Sequence, residues 1–334
     1  MMKNKIQKIT VLGDGGWGTT LAIYLAHRGF SVKIWSAFPE YARHLAQTRE
    51  NTKFLPGIKI PGEIEITADL THALDGAQLV ILAIPSQFAV AVIRKLKKYD
   101  LSKKILLSVI KGLDSATLSR MSQIISKELG SIPLAVLSGP TIAMEIAKGM
   151  PSTAVIACKN MGIAKTLQTV FHSPSFRIYT NSDMVGVEIG GSIKNVVAIA
   201  CGICDGLGFG TNAKAAILSR GLAEISRLGQ AMGAKQKTFA GLSGLGDMVT
   251  TCFNKQSRNR SVGEQLGQGK KIGEITSAMD MVAEGVTTVK AAYALGRKYK
   301  VPMPITTEIF NIICKDKAPN IAVNDLMSRR LKPE

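Results

Sequence analysis

Residues 6–12, Ile-Gln-Lys-Ile-Thr-Val-Leu, form an apolar strand pattern that runs directly into Gly13-Asp14-Gly15-Gly16-Trp17-Gly18. A helical pattern follows from Thr19 to about Arg28. Glycines alone would fit a ligand-free turn, but strand, G-x-G-x-x-G and helix in this order point to a dinucleotide-binding turn. Gly13 permits the tight turn, Gly15 lets backbone approach a pyrophosphate, and Gly18 lets the helix pack closely on the strand. The helix N-terminus then presents unpaired N–H groups and partial positive charge to phosphate.

The same grammar continues to about residue 180. Strand patterns fall at 6–12, 31–35, 64–67, 78–84, 104–109, 133–137, 152–157 and 176–179. Helical stretches lie between several of them, at 18–28, 40–49, 86–98, 117–128 and 160–171. This alternation predicts an α/β fold, a mainly parallel, doubly wound Rossmann-type sheet. Pro56-Gly57 and Pro61-Gly62 mark a loop excursion. After residue 183 strand signals nearly vanish. Helical patterns at 184–204, 212–232, 238–252, 257–269, 275–282, 286–298 and 304–315 predict an all-α C-terminal domain. The expected division is a dinucleotide-binding domain over 1–183 and an all-helical substrate and catalytic domain over 184–334, with the last ~10 residues fraying as termini do.

Formal net charge is +18, from 42 basic and 24 acidic residues, yet the charge is dispersed and aromatics are only 5%. No nucleic-acid reading motif accompanies it, so nucleic acid is not an expected partner. A positive field also suits an enzyme that handles small anions. No apolar run reaches the ~18 residues of a membrane span, and the N-terminus lacks a signal-peptide pattern. A cytoplasmic protein without membrane insertion is therefore expected. Five cysteines, an odd number, suit free thiols in a reducing compartment. Cys201-Gly202-Ile203-Cys204 is formally C-x-x-C, but it sits in an apolar helical run with no second pair to complete a zinc site. His27, His44, His72 and His172 fall in no ligand spacing, so no metal site is expected.

Ligands in open α/β sheets bind beyond the carboxyl ends of the strands. Three loops follow strand patterns there: 83–86, 108–112 and 137–141. Lys111 either places an ammonium over the cofactor cleft or is one more surface lysine. Ser138-Gly139-Pro140 marks a close backbone approach or a plain turn. Lys194 shares its helical face with Gly190, Gly191 and Ala198. Glycines inside a helix cost about 1 kcal/mol each against alanine. Either a ligand or a tightly packed neighbour has to account for them. Burial and nearby cations such as Lys111 would lower the pKa of Lys194 and suit it to acid–base work. Asp247 follows the glycine-rich run 241–246, where it is placed to meet lysines. Ser257-Arg258-Asn259-Arg260 combines a guanidinium fork with neighbouring donors for a phosphate, or is a helix N-cap and a basic turn.

Together these motifs resemble the bacterial NAD(P)-dependent glycerol-3-phosphate dehydrogenases over nearly the whole chain. The resemblance rests on 13–18, 51–57, 83–86, Lys111-Gly112, 137–140, Glu188-Ile-Gly-Gly-Ser-Ile-Lys-Asn195, 241–247, 257–260 and Ala283-Glu284-Gly285. It implies that dihydroxyacetone phosphate and sn-glycerol 3-phosphate are interconverted with NADP or NAD, supplying glycerol phosphate for phospholipid synthesis, with Lys194 as the catalytic acid–base. It implies a substrate site of Lys111, Gly139, Thr141, Lys194, Asp247, Ser257, Arg258 and Asn259. It implies cofactor contacts at Gly13, Gly15, Gly16, Trp17, Gly18, Lys111, Ala143, Arg258, Val282 and Glu284. A homodimer is a family-based expectation. The family commonly carries arginine after the tryptophan of strand two, where this chain has the neutral Ser36-Ala37. Neither a cation for a 2′-phosphate nor a carboxylate for a ribose 2′-hydroxyl is visible there. Both dinucleotides are expected to work, with a modest preference for NADPH. The competing readings are another two-domain reductase, such as a ketopantoate reductase, and a basic or dinucleotide-sensing protein without turnover.

Overall fold

The computed structural model of the protein describes residues 6–279 and 282–331. Its contacts divide the chain into two compact units, one built from Met1–Ile110 with Met121–Met184 and the other from Lys111–Arg120 with Val185–Glu334. A single cut at 183/184 is thus interrupted by a ten-residue excursion that packs with the second unit.

The first unit holds an eight-stranded sheet in the order β3-β2-β1-β4-β5-β6-β7-β8. The strands are β1 Lys8–Leu12, β2 Ser31–Trp35, β3 Glu65–Thr67, β4 Leu79–Leu82, β5 Ile105–Ser108, β6 Leu134–Ser138, β7 Ser152–Ala157 and β8 Phe176–Asn181. All neighbours run parallel except β6 and β7. Parallel pairing requires a crossover, and helices α1 Gly16–His27, α2 Pro39–Thr48, α3 Leu70–Leu74, α4 Ser86–Leu96, α5 Met121–Leu129, α6 Ala143–Ala147 and α7 Met161–Phe171 punctuate the sheet. Only the five-residue α6 separates β6 from β7, and there the chain reverses.

β4 reads Leu-Val-Ile-Leu, and all of it is buried, as a central strand covered on both faces requires. Leu79 and Ile81 join Ile9, Val11, Leu21 and Leu25 in the core of this unit. Truncating one such leucine to alanine would cost about 2–5 kcal/mol. The sequence patterns locate all eight strands. They miss α3 and α6, which are too short to show a helical period.

The excursion Lys111–Arg120 is closed by an isolated bridge between Leu113 and Arg120, and the rest of the second unit is built on helices: α8 Met184–Gly206, α9 Thr211–Ala231, α10 Gln236–Phe239, a π-helical turn Leu242–Gly246, α11 Asp247–Phe253, α12 Arg258–Gly267, α13 Ile272–Ser277, α14 Glu284–Lys298, α15 Pro304–Lys315 and α16 Pro319–Met327. α16 lies beyond the last predicted helical pattern, 304–315, and its Ala322 is buried in the core. The pattern at 238–252, read as one helix, is broken by the glycines of the π turn.

α8 has no uninterrupted apolar run, since Glu188 and Lys194 lie within it. It is the one described helix long and apolar enough, by length and composition, to cross a membrane, at 23 residues. Here it is a core helix. Ile189, Ile193, Val196, Val197 and Ile199 are all buried in the second unit, and a helix apolar all round needs cover on every side.

Candidate functional site

The glycine turn of the first unit is stitched to strand β2, with Gly13 N–H donating to the Trp35 carbonyl at 2.9 Å. Gly13 has φ of +120°, and a Cβ there would stand 2.3 Å from the Ala83 carbonyl oxygen. A Cβ on Gly18 would stand 2.1 Å from the Gly13 carbonyl oxygen, and one on Gly16 would stand 2.5 Å from that of Phe54. Gly15 differs: a Cβ there would meet nothing within 4 Å. Three of the four glycines are therefore demanded by the fold, while Gly15 keeps open space above the start of α1. No side chain caps α1, and its first turn carries no acid. An open glycine below an uncapped helix N-terminus fits a dinucleotide pyrophosphate.

Around this turn, Asn51 Nδ2 donates to the Asp14 carbonyl and to Thr19 Oγ1, each at 2.7 Å. The 51–57 excursion thus braces the loop. Thr20 Oγ1 donates to the carbonyl of Ala143 at 3.2 Å, joining α1 to the start of α6. Gly139 follows β6 with φ of +145°, and Thr141 Oγ1 donates to its carbonyl at 3.1 Å.

The Ser36-Ala37 segment is neutral, as its sequence says, but it does not stand alone. A carboxylate does stand at the end of β2, contributed by the glycine loop. Ser36 Oγ donates to Asp14 Oδ2 and accepts from Phe38 N–H at 3.2 Å. Burial raises the Asp14 pKa, and the Ser36 bond partly offsets this.

The second unit gathers the ionisable residues. Lys194 is 4% exposed and Asp247 1%. The Lys194 ammonium donates to Asp247 Oδ1 and, at 2.7 Å, to Thr251 Oγ1. Lys111 Nζ lies 2.9 Å from Asp247 Oδ2. One carboxylate therefore bridges two ammonium groups. Burial is the main influence on Lys194, pushing its pKa down to about 8; Asp247 resists the shift and the Lys111 charge adds to it. Asp247 moves down as well: burial opposes its ionisation, but the charges of Lys111 and Lys194 prevail.

The backbone explains this meeting. A Cβ on Gly190 would stand 2.5 Å from the Ser243 carbonyl oxygen. Glycine there lets the π turn lie against α8, and Asp247 leaves that turn beside Lys194. Close packing thus accounts for Gly190, and the packing itself delivers the carboxylate. Thr251, one helical turn after Asp247, is a site residue the sequence reading missed. Its hydroxyl donates to the Asp247 carbonyl at 2.7 Å and so turns a lone pair to the ammonium. The i, i+4 spacing on α11 was the available signal. Arg120 pairs with the buried Glu188, and Asn195 Nδ2 reaches the Lys111 carbonyl at 3.5 Å. These contacts tie the excursion Lys111–Arg120 to α8.

Ser257 is the N-cap of α12, accepting from Arg260 N–H at 3.3 Å. Asn259 Oδ1 accepts from Gly285 N–H at 2.9 Å. A Cβ on Gly285 would lie 2.8 Å from both Asn259 Oδ1 and the Asn195 carbonyl oxygen. The starts of α12 and α14 therefore meet α8 one residue from Lys194. Arg258 Nη1 donates to the Val282 carbonyl at 2.9 Å, just before Glu284 opens α14. The second unit thus holds Lys111, Lys194, Asp247, Ser257, Arg258, Asn259, Val282 and Glu284. The first holds the glycine turn, Trp17, Gly139, Thr141 and Ala143. Cys201 and Cys204 are buried, free thiols. The Cys201 thiol is pushed up by its hydrogen bond with Cys252 and by burial, and Cys204 to about 11 by burial and the neighbouring Cys201.

Comparison with known proteins bears on the whole of this arrangement. Residues 8–164 match the N-terminal family model of NAD-dependent glycerol-3-phosphate dehydrogenase, and 183–324 match its C-terminal model. A glycerol-3-phosphate dehydrogenase [NAD(P)+] of Prosthecochloris aestuarii is 47% identical over 329 residues, covering 98% of this chain and 99% of that one. The chain belongs to the NAD(P)-dependent glycerol-3-phosphate dehydrogenase family. Another relative of that name, from Chlorobium phaeobacteroides, is 45% identical over 98% of this chain and 99% of its own. The crystal structure of the Coxiella burnetii glycerol-3-phosphate dehydrogenase superposes with a TM-score of 0.94 at 37% identity, covering 98% of this chain and 100% of that one.

Proposed function

We propose that Lys194 is the proton donor and acceptor in this chain's interconversion of dihydroxyacetone phosphate and sn-glycerol 3-phosphate, the activity of its family. A bound NAD(P) would supply the hydride chemistry at substrate C2. During reduction the Lys194 ammonium gives a proton to the C2 oxygen; during oxidation the neutral amine takes it back. A pKa of about 8 keeps both forms accessible near neutral pH. Asp247 and Thr251 fix the ammonium's direction, and the second oxygen of Asp247 holds Lys111 within the same cluster.

The buried Lys194–Asp247–Lys111 array carries the reading. Two ammonium groups on one carboxylate leave net positive charge where the C2 oxygen becomes negative. Arg258, with Ser257 and Asn259 at the start of α12, is assigned the substrate phosphate, since a guanidinium fork matches phosphate oxygens. Gly139 and Thr141 complete the assigned substrate contacts. Gly13, Gly15, Gly16, Trp17, Gly18 and Ala143 are assigned to the dinucleotide in the first unit, and Lys111, Arg258, Val282 and Glu284 in the second. Supply of glycerol phosphate to phospholipids, a cytoplasmic location and a homodimer accompany this reading; light scattering of the purified protein tests the last.

The test is turnover of dihydroxyacetone phosphate beside ketopantoate, followed by nicotinamide absorbance. Reduction of the first alone is expected. Turnover of ketopantoate alone would reject the substrate assignment.

A further inference from the structure

We infer that Asp14 is a specificity-determining residue for the dinucleotide, accepting a hydrogen bond from the adenosine ribose 2′-hydroxyl and turning away a 2′-phosphate, so that the enzyme prefers NADH to NADPH. The inference rests on the dinucleotide reading of the glycine turn and deepens it.

In a Rossmann-type βαβ unit, a carboxylate about 20 residues beyond the glycine loop takes the ribose 2′-hydroxyl, or an arginine nearby accepts the 2′-phosphate. Ser36 occupies that place in this chain, directly after β2, and is fully buried. Its hydroxyl donates to Asp14 Oδ2. The carboxylate missing from strand two is therefore delivered to the same spot by the residue between Gly13 and Gly15. Three contacts hold it there. Gly13 N–H is tied to the last residue of β2, Asn51 clasps the Asp14 carbonyl, and Ser36 is itself anchored by Phe38 N–H.

The charge balance agrees. No lysine or arginine pairs with Asp14 among the described residues. The segment from Ser36 to Tyr41 contains no basic residue and adds Glu40, whose carboxylate is engaged by Arg43. The negative charge of Asp14 is also felt by Tyr41: burial chiefly raises that phenol to about 12, and Asp14 adds to the rise. A ribose hydroxyl can donate to a carboxylate in such surroundings. A 2′-phosphate brings about −1.5 to −2 charge at neutral pH, as phosphate monoesters do, and meets a carboxylate that no described lysine or arginine pairs with.

The experiment measures dissociation constants of NADH and NADPH for the full chain without substrate, by nicotinamide fluorescence. The proteins are wild type, Asp14→Asn, Asp14→Ala and Glu40→Gln. Wild type should bind NADH at least about tenfold more tightly, roughly 1.4 kcal/mol. Asp14→Asn keeps shape and an acceptor for Ser36 but removes the charge. It should tighten NADPH about tenfold while moving NADH less than about threefold, and Glu40→Gln should leave the ratio as it is. Equal affinities in wild type, tighter NADPH, or a ratio that follows Glu40 and not Asp14 would overturn the inference. If the Asp14 variants fail to fold, the wild-type ratio still decides. Failure of both dinucleotides to bind folded wild type would reject the dinucleotide reading itself; binding without discrimination would reject only the role of Asp14.

Discussion

Replacing Lys194 by methionine separates chemistry from packing. Methionine preserves chain length and helix propensity, so α8 should persist. What is lost is the ammonium held by Asp247 and Thr251. Removing a positioned general acid–base lowers rate about 100- to 10,000-fold, or roughly 3–5 kcal/mol of barrier. Breaking a buried ion pair by deleting one partner costs about 3–5 kcal/mol of stability when the remaining charge is stranded. Here Asp247 is not stranded, because Lys111 stays 2.9 Å away. The stability cost should therefore fall below that range while kcat falls at least ~100-fold. Dinucleotide affinity should change little, since Lys194 is not among the residues assigned to the dinucleotide and Lys111 keeps its partner Asp247. Turnover, fluorescence titration and thermal unfolding on one preparation give all three numbers. Near-normal kcat in a folded variant would remove Lys194 from the mechanism. Equal losses of kcat, affinity and stability would mean that the residue only holds the fold together.

Acidity gives a second check. With Lys194 at about 8, kcat/KM for glycerol phosphate oxidation should rise as pH increases through about 8, because the neutral amine is the base, and that for reduction should fall over the same interval; an oxidation rate falling there would contradict the assignment. Lys194 also binds fewer protons folded than unfolded between about 8 and its ordinary 10.5, so this group alone makes stability rise with pH across that window, and Lys194→Met should abolish that contribution in urea titrations at several pH values. Arg258→Ala should raise KM for dihydroxyacetone phosphate more than it lowers kcat, since a phosphate contact persists from ground state to transition state; it also frees the Val282 carbonyl, so cofactor affinity should weaken as well, and an unchanged KM would reject the phosphate role. Gly15→Ala should fold normally, its Cβ meeting open space, but weaken dinucleotide binding at least ~10-fold, about 1.4 kcal/mol. Gly18→Ala forces a Cβ onto the Gly13 carbonyl and should lose about 1–3 kcal/mol of stability by overpacking, measured by denaturant unfolding; the opposite ordering would refute the division of labour between these glycines.

Period and punctuation make the sheet readable in the sequence. β4 is an uninterrupted apolar run and α1 follows a glycine signature, so local sequence names both. The reversal between β6 and β7 is not local information, because a strand's direction depends on where the chain can cross, and α6 is too short to show a period. The domain assignment of Lys111 illustrates the same limit. In sequence it follows β5 by three residues, yet its ammonium answers to Asp247, 136 positions later. The glycine contact sets Asp247 beside α8, and the Arg120–Glu188 and Asn195–Lys111 contacts bring the lysine to the same helix.

Asp14 shows how such non-local placement bears on chemistry. A scan for cofactor specificity looks where the carboxylate usually sits along the chain, just after β2, and finds Ser36. The relevant variable is the charge at that point in space, and a neighbouring loop can supply it. The Gly13 turn and the end of β2 are hydrogen-bonded partners, so a residue on either can face the same ribose. A neutral end to strand two therefore does not decide between NADH and NADPH until the side chain inside the glycine motif has been placed.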